Sequence, residues 1–309
     1  MSLPDLRSIA GALRTALVEA AWAQWSAIEG WAAGKPTRSI VDPEALVLGS
    51  LWLEPEEPRL WRVARIWARG GARYLSVQRI QNLAPHYPGR ARERLADFAW
   101  ECVDAGKDAR WRKLARKPRA VVRERGKELE PSPRFQHPAA LVLRLRIGLG
   151  VGIKADVLAF LLGMAGGRLT IREISRAIGY FHRAVDRSVE ELVTAGFVTA
   201  RPTSPASYSA PSERWEPLLG LGPNPPRWWY WDLVFRFGAA LDEAAEATRR
   251  DSPFVQASRA RDIVEAHYPA FELNAVEARD TTAASGEGYL AVLAEDTGRL
   301  AERVRKNMV

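Results

Sequence analysis

Cysteine is almost absent from this chain: Cys102 is the only one in 309 residues, so no intramolecular disulfide can form. Histidine is nearly as scarce. His86, His137, His182 and His267 are scattered along the sequence, and with one cysteine they make no metal-ligand spacing. Long apolar runs are missing too. Nothing approaches the roughly twenty uninterrupted apolar residues that a membrane helix needs. Met1 to Ala12 carries Asp5 and Arg7 and lacks the apolar stretch of a signal peptide. A cytoplasmic protein with no membrane contact is the expectation. No nucleophile with a spaced base stands out, so no catalytic residue, metal or cofactor is assigned and enzymatic activity is not expected.

Acid is scarce in one place only. Arg59 to Lys127 holds 19 basic and 6 acidic residues, whereas Met1 to Pro58 holds 4 and 8 and the stretch after Leu218 holds 11 and 14. The overall charge of +8 and pI near 9.9 are therefore concentrated in a patch, which favours a polyanionic partner. Within it, Lys107 to Lys127 contains ten basic residues. Trp111 lies there among Arg110, Arg112 and Lys113, a pattern suited to a phosphate backbone or, equally, to a solvated helix.

What is present is mostly helical patterning. Leu6, Ile9, Leu13 and Leu17 recur at helical spacing within Leu3 to Trp31. Asp42-Pro43-Glu44 has the form of a helix start, with an N-cap, a proline at the first position and an acid in the first turn. Further helices are expected over Arg59–Arg69, Ser76–Leu83, Gly89–Val103 and Glu287–Lys306. Leu141 to Ile147 reads as a strand. It runs into Gly148-Leu149-Gly150-Val151-Gly152-Ile153-Lys154, whose spacing is wrong for a dinucleotide or phosphate loop. Trp22, Trp25, Trp31, Trp52, Trp61 and Trp67 fall at helical apolar positions and are expected in the core. Trp228, Trp229 and Trp231, placed on a helix, cannot all face one way, and packing between domains is expected for them.

One internal echo appears. Gly70-Gly71-Ala72-Arg73-Tyr74-Leu75-Ser76-Val77-Gln78-Arg79-Ile80 is similar to Gly166-Gly167-Arg168-Leu169-Thr170-Ile171-Arg172-Glu173-Ile174, apart from a two-residue insertion. Two related helical units, or a chance likeness of two turns, both account for it.

The most informative segment begins at Asp156. An apolar helix ends at Gly166-Gly167, and Thr170-Ile171-Arg172-Glu173 has the form of a capping box. A second helix with Ile171, Ile174 and Ile178 inward closes at Gly179. A third, about Phe181 to Ala195, turns Val185, Val189 and Leu192 inward and stops at Gly196. Phe197 to Arg201 and Ser207 to Ser209 read as two short strands around a Pro-Thr-Ser-Pro loop. This order resembles the winged helix-turn-helix of bacterial transcriptional regulators of the MarR and ArsR kind, over roughly a fifth of the chain. The resemblance implies a third helix lying in the major groove, with Phe181, His182, Arg183, Asp186 and Arg187 near base edges. It also implies a wing that sets Arg201, Thr203 and Ser204 against the DNA.

The expected fold is mainly α: an N-terminal helical domain (1–105) with a second HTH-like unit in it if the echo is real, a basic connector (106–133), the winged helix (134–219) and a C-terminal helical region (220–309). The expected function is a DNA-binding transcriptional regulator, a homodimer on double-stranded DNA. The alternative is a protein-interaction module, an antitoxin- or immunity-type partner of a neighbouring enzyme, on the same scaffold.

Overall fold

The computed structural model describes residues 4–30, 32, 34–117 and 130–308. The protein is mainly helical, with one small two-stranded sheet among the described residues. The first five helices are α1 (Leu6–Ile28), α2 (Pro43–Leu53), α3 (Arg59–Gly70), α4 (Val77–Leu83) and α5 (Gly89–Asp104). Then follow α6 (Leu141–Leu149), α7 (Ile153–Gly163), α8 (Ile171–Ile178) and α9 (His182–Thr194). Strands β1 (Thr199–Arg201) and β2 (Ser207–Ser209) form an antiparallel hairpin. The chain continues as α10 (Ser212–Leu219), α11 (Trp231–Ala247), α12 (Pro253–His267), α13 (Pro269–Glu272) and α14 (Tyr289–Lys306).

Two apolar cores result. In the first, α1 packs against α14, α11 and α2. The Asp5 carboxylate starts α1 by accepting from the Ser8 N–H at 2.7 Å, satisfying one of the donors that every helix start leaves open. Every residue of α2 is buried; a helix apolar around nearly its whole circumference has to be interior. Trp25, Trp52 and Trp67 lie in this core, with Trp22 and Trp61 packed at its edge. Trp31 lies outside the described residues. The second core joins Ile40 and α6 to the helices α7–α9, together with Trp215, Trp228 and Tyr230.

Three expectations change. Leu141–Leu149 is helical, not a strand. A short apolar run has no period that separates the two. Here His137 Nδ1 accepts the Ala139 N–H at 3.2 Å and Pro138 opens the turn that leads into α6. Trp228 and Trp229 precede α11 in non-helical backbone, and the helix begins only at Trp231. Alternating directions let Trp228 enter the second core while Trp229 and Trp231 enter the first. All three are buried. Trp111 is fully buried, edge-on to Phe98 with centroids 5.4 Å apart, so it offers no ring to a nucleic acid. Arg119, Arg123, Arg125 and Lys127 of the basic stretch lie outside the described residues.

The seam between the cores is tight at Gly163. A Cβ there would stand 2.5 Å from Ile40 Cδ1 and 2.9 Å from the Trp228 backbone nitrogen, whose N–H donates to the Gly163 carbonyl at 3.0 Å. Backbone cannot rotate aside as a side chain can. Gly163→Val is therefore expected to lose about 1–3 kcal/mol by overpacking, read from urea unfolding. A change under a few tenths would show that the seam yields.

Candidate nucleic-acid interface

The residues from α7 to β2 build one surface from local signals. Leu169 and Tyr208 exchange backbone hydrogen bonds of 3.0 and 2.8 Å, extending the hairpin toward the start of α8. Thr170 and Glu173 form the reciprocal capping box, with the Thr170 N–H donating to Glu173 Oε2 at 2.7 Å. Gly179 ends α8 in the left-handed region at φ 71°, where a Cβ would be strained. The chain then turns into α9.

Val185, Val189 and Leu192 are the buried side of α9. At about 100° per residue, Arg183 and Arg187 fall on the opposite side. Both are exposed, as are His182 and Phe181, and Phe181 is 76% exposed. Arg183 pairs with no carboxylate among the described residues. Arg187 Nε lies 3.3 Å from Glu191 Oε1, with an 83% exposed side chain. Such a surface pair contributes little and leaves the guanidinium available. Asp186 is only half exposed. Burial, and then the charges of Asp186 and Glu190, raise the Tyr208 phenol, so these two carboxylates lie toward the hairpin. Arg201, Thr203 and Ser204 are exposed at and beyond the end of β1. The Thr203 hydroxyl donates to the Pro205 carbonyl at 2.8 Å, holding the loop's bend.

Arg110, Arg112 and Lys113 sit elsewhere, beside α5. Arg110 is engaged: it pairs with Asp108 at 2.6 Å and donates to the carbonyls of Ala72 and Leu75. Arg112 and Lys113 are exposed. Lys113, Arg92 and Arg116 line an open groove of about 530 Å³ with Glu93.

Behind the α9 surface lies a buried charge network that sequence reasoning did not assemble. Arg146 on α6 holds Glu44 through contacts of 2.6 and 3.0 Å and Asp156 through contacts of 2.7 and 2.8 Å. Arg79 on α4 holds Asp42 and, at 2.8 Å, Glu44. Its Nε donates to the Ile178 carbonyl at 2.6 Å, which is the last turn of α8. The Tyr180 hydroxyl donates to Asp156 Oδ2 at 3.0 Å and lies 2.8 Å from Ser76 Oγ. Burial alone would raise the Glu44 carboxyl. The Arg146 and Arg79 charges, with hydrogen bonds from Arg146 and the Ser76 N–H, overcome it and bring Glu44 to about 2. Three carboxylates and two guanidiniums thus tie α2 and α4 to α6, α7 and the α8–α9 turn. The available signal was a charged residue inside an apolar run, as with Arg146 within Leu141–Leu149 and Asp156 within α7, which implies a buried partner.

No family model matches the chain, and neither a curated protein nor a solved structure matches it. No group of histidine, cysteine, aspartate or glutamate able to hold a metal is found among the described residues, and no helix there is long and apolar enough to cross a membrane.

Proposed function

We propose that α7–α9 and the β1–β2 hairpin act as a winged helix-turn-helix that binds double-stranded DNA, and that the protein is a transcriptional regulator. The observation that carries this reading is the outward face of α9: Arg183 and Arg187, four residues apart, point away from the core over its first two turns. Arginine is the commonest bidentate reader of guanine. Glu190 and Glu191 lie three and four residues beyond Arg187 on the same side, so the basic part of the face is the N-terminal half of α9, and Arg201 stands ready for backbone or minor-groove contact. A homodimer belongs to the same reading, since two copies present two such helices to a two-fold site.

The test is binding to a random-sequence duplex across a salt series, for the native chain and for Arg183→Ala/Arg187→Ala. The native protein is expected to bind with a steep salt dependence. The double variant is expected to bind about tenfold more weakly, with the log–log salt slope lowered by up to about 2. Equal affinity and slope for the two proteins would sink the reading.

A second reading has its own observation. Phe181, at the start of α9, is 76% exposed, and an aromatic so placed suits a protein-interaction module in which this chain is the antitoxin- or immunity-type partner of a neighbouring enzyme. Phe181→Ser separates the two. It should abolish capture of such an enzyme, and it should leave the salt slope on random DNA unchanged.

A further inference from the structure

Four segments remote in sequence meet at a cleft of about 760 Å³: Pro36–Ser39, His137–Ala139, Pro223–Arg227 and Lys306–Asn307. It shares no residue with α9 or the hairpin. Backbone pairing fixes its walls. The Arg38 N–H donates to the Asn307 carbonyl at 3.1 Å, and the Ile40 N–H donates to the Arg227 carbonyl at 2.8 Å beside the Ser39–Arg227 bridge. These bonds gather Arg38, Arg227 and Lys306 around one opening.

The charge there is one-sided. No acidic residue lines the cleft, and none of the three cations has a carboxylate partner among the described residues. Elsewhere on the surface Arg14, Arg59, Arg94, Arg279, Arg299 and Arg305 each pair with an acid, whereas these three cations converge on one opening without one. Three like charges gathered without counter-charge repel, and an anion relieves that. The walls supply the rest of a binding site. Prolines and Ala139 give apolar surface, and the volume is that of a small-molecule pocket. His137 adds a donor: its Nδ1 already accepts the Ala139 N–H, so the ring proton belongs on Nε2.

We propose that this cleft binds a small phosphate monoester. Arg38, Arg227 and Lys306 hold the phosphate, and the proline-lined wall holds its organic body. Three cations exceed what one carboxylate can neutralise and match a phosphate monoester carrying roughly −1.5 to −2 at pH 7. The site lies on the seam between the two cores, since Ile40 and Trp228, which follow its walls in the chain, belong to the second core and their neighbours Val41 and Trp229 to the first. It does not depend on DNA binding by α9.

The experiment is calorimetric titration of the full chain with phenyl phosphate and, separately, with inorganic phosphate, for the native protein and for Arg38→Gln/Arg227→Gln/Lys306→Gln. The three positions are exposed, and the variant's thermal midpoint without ligand reports whether it is folded; it should match or exceed the native one. Saturable binding of phenyl phosphate is expected, tighter than that of inorganic phosphate and weakened about tenfold or more in a folded triple variant. Two results would overturn the proposal: no saturable binding by the native protein at millimolar phenyl phosphate, or equal binding by the triple variant. If the variant proves unfolded, Arg38→Gln and Lys306→Gln alone carry the same comparison.

Discussion

Arg146→Leu is expected to lose about 3–5 kcal/mol of folding stability at pH 7, the range for removing one partner from a buried ion pair. The side chain is fully buried and contacts Glu44 and Asp156 as well as the Tyr74 carbonyl. Leucine fills part of the volume but leaves two interior carboxylates short of counter-charge. Glu44 then keeps only Arg79 and the Ser76 N–H, and Asp156 keeps Tyr180. Arg146→Lys retains the charge without the two paired contacts, so its loss should be intermediate.

The pH dependence gives this prediction a second reading. Glu44 lies at about 2 in the fold against an ordinary 4.5, so its folded pKa is depressed. Its contribution is fully present above about 4.5 and is lost as pH falls through about 2. Without Arg146 the Glu44 carboxyl rises, and the variant gains from protonation earlier than the native chain. The stability gap between the two, measured by urea unfolding, should narrow as pH drops from about 4.5 toward 3. A gap that stays constant over that interval would mean that Glu44 does not feel Arg146.

The parts of this structure that were legible in the sequence are the parts made by neighbours in the chain. The capping box of Thr170 and Glu173, the left-handed Gly179 and the inward Val185, Val189 and Leu192 each need only a few residues of context, and they outline α8 and α9. The face carrying Arg183 and Arg187 follows from helical period alone. What could not be read depends on contacts across the fold. Asp42 and Glu44 look like an ordinary helix start, and Asp42 does accept the Ala45 N–H at 3.1 Å. Nothing local reveals that Arg79 and Arg146, some 35 and 102 residues away from Glu44, converge on the same carboxylates. The Leu141–Leu149 helix was hidden for a related reason. With Arg146 turned inward, the helix is buried over most of Leu141 to Arg146 and exposes the apolar Ile147 and Leu149 at its end, so it lacks the polar stripe that marks a surface helix. Trp111 was deceptive because its basic neighbours are exposed while its ring closes a core against Phe98.

Trp231→Ala should match the Arg146 loss, at about 3–5 kcal/mol, the range for a truncated core tryptophan. Trp231 is fully buried, and its ring centroid lies 5.8 Å from Trp229 and 6.0 Å from Phe235. Its Nε1–H donates to Ser39 Oγ at 3.1 Å, and Ser39 in turn lies 2.9 Å from the Thr37 hydroxyl. Alanine therefore opens a cavity at the first turn of α11 and removes a bond that pins the 37–39 segment. Trp231→Phe fills most of the space without the donor, so its loss relative to the native chain reads mainly the Ser39 bond, about 1 kcal/mol if it behaves as an ordinary buried one, and the further loss in Trp231→Ala reads the cavity. Trp228→Ala should lose less. Its ring meets Phe160 at 5.2 Å in the second core, but it is 9% exposed and its indole nitrogen has no partner among the described residues. Equilibrium urea unfolding of the three variants ranks them. If Trp231→Ala lost under about 1 kcal/mol while Trp228→Ala lost more, this cluster would belong at an interface between molecules and not in the core of one.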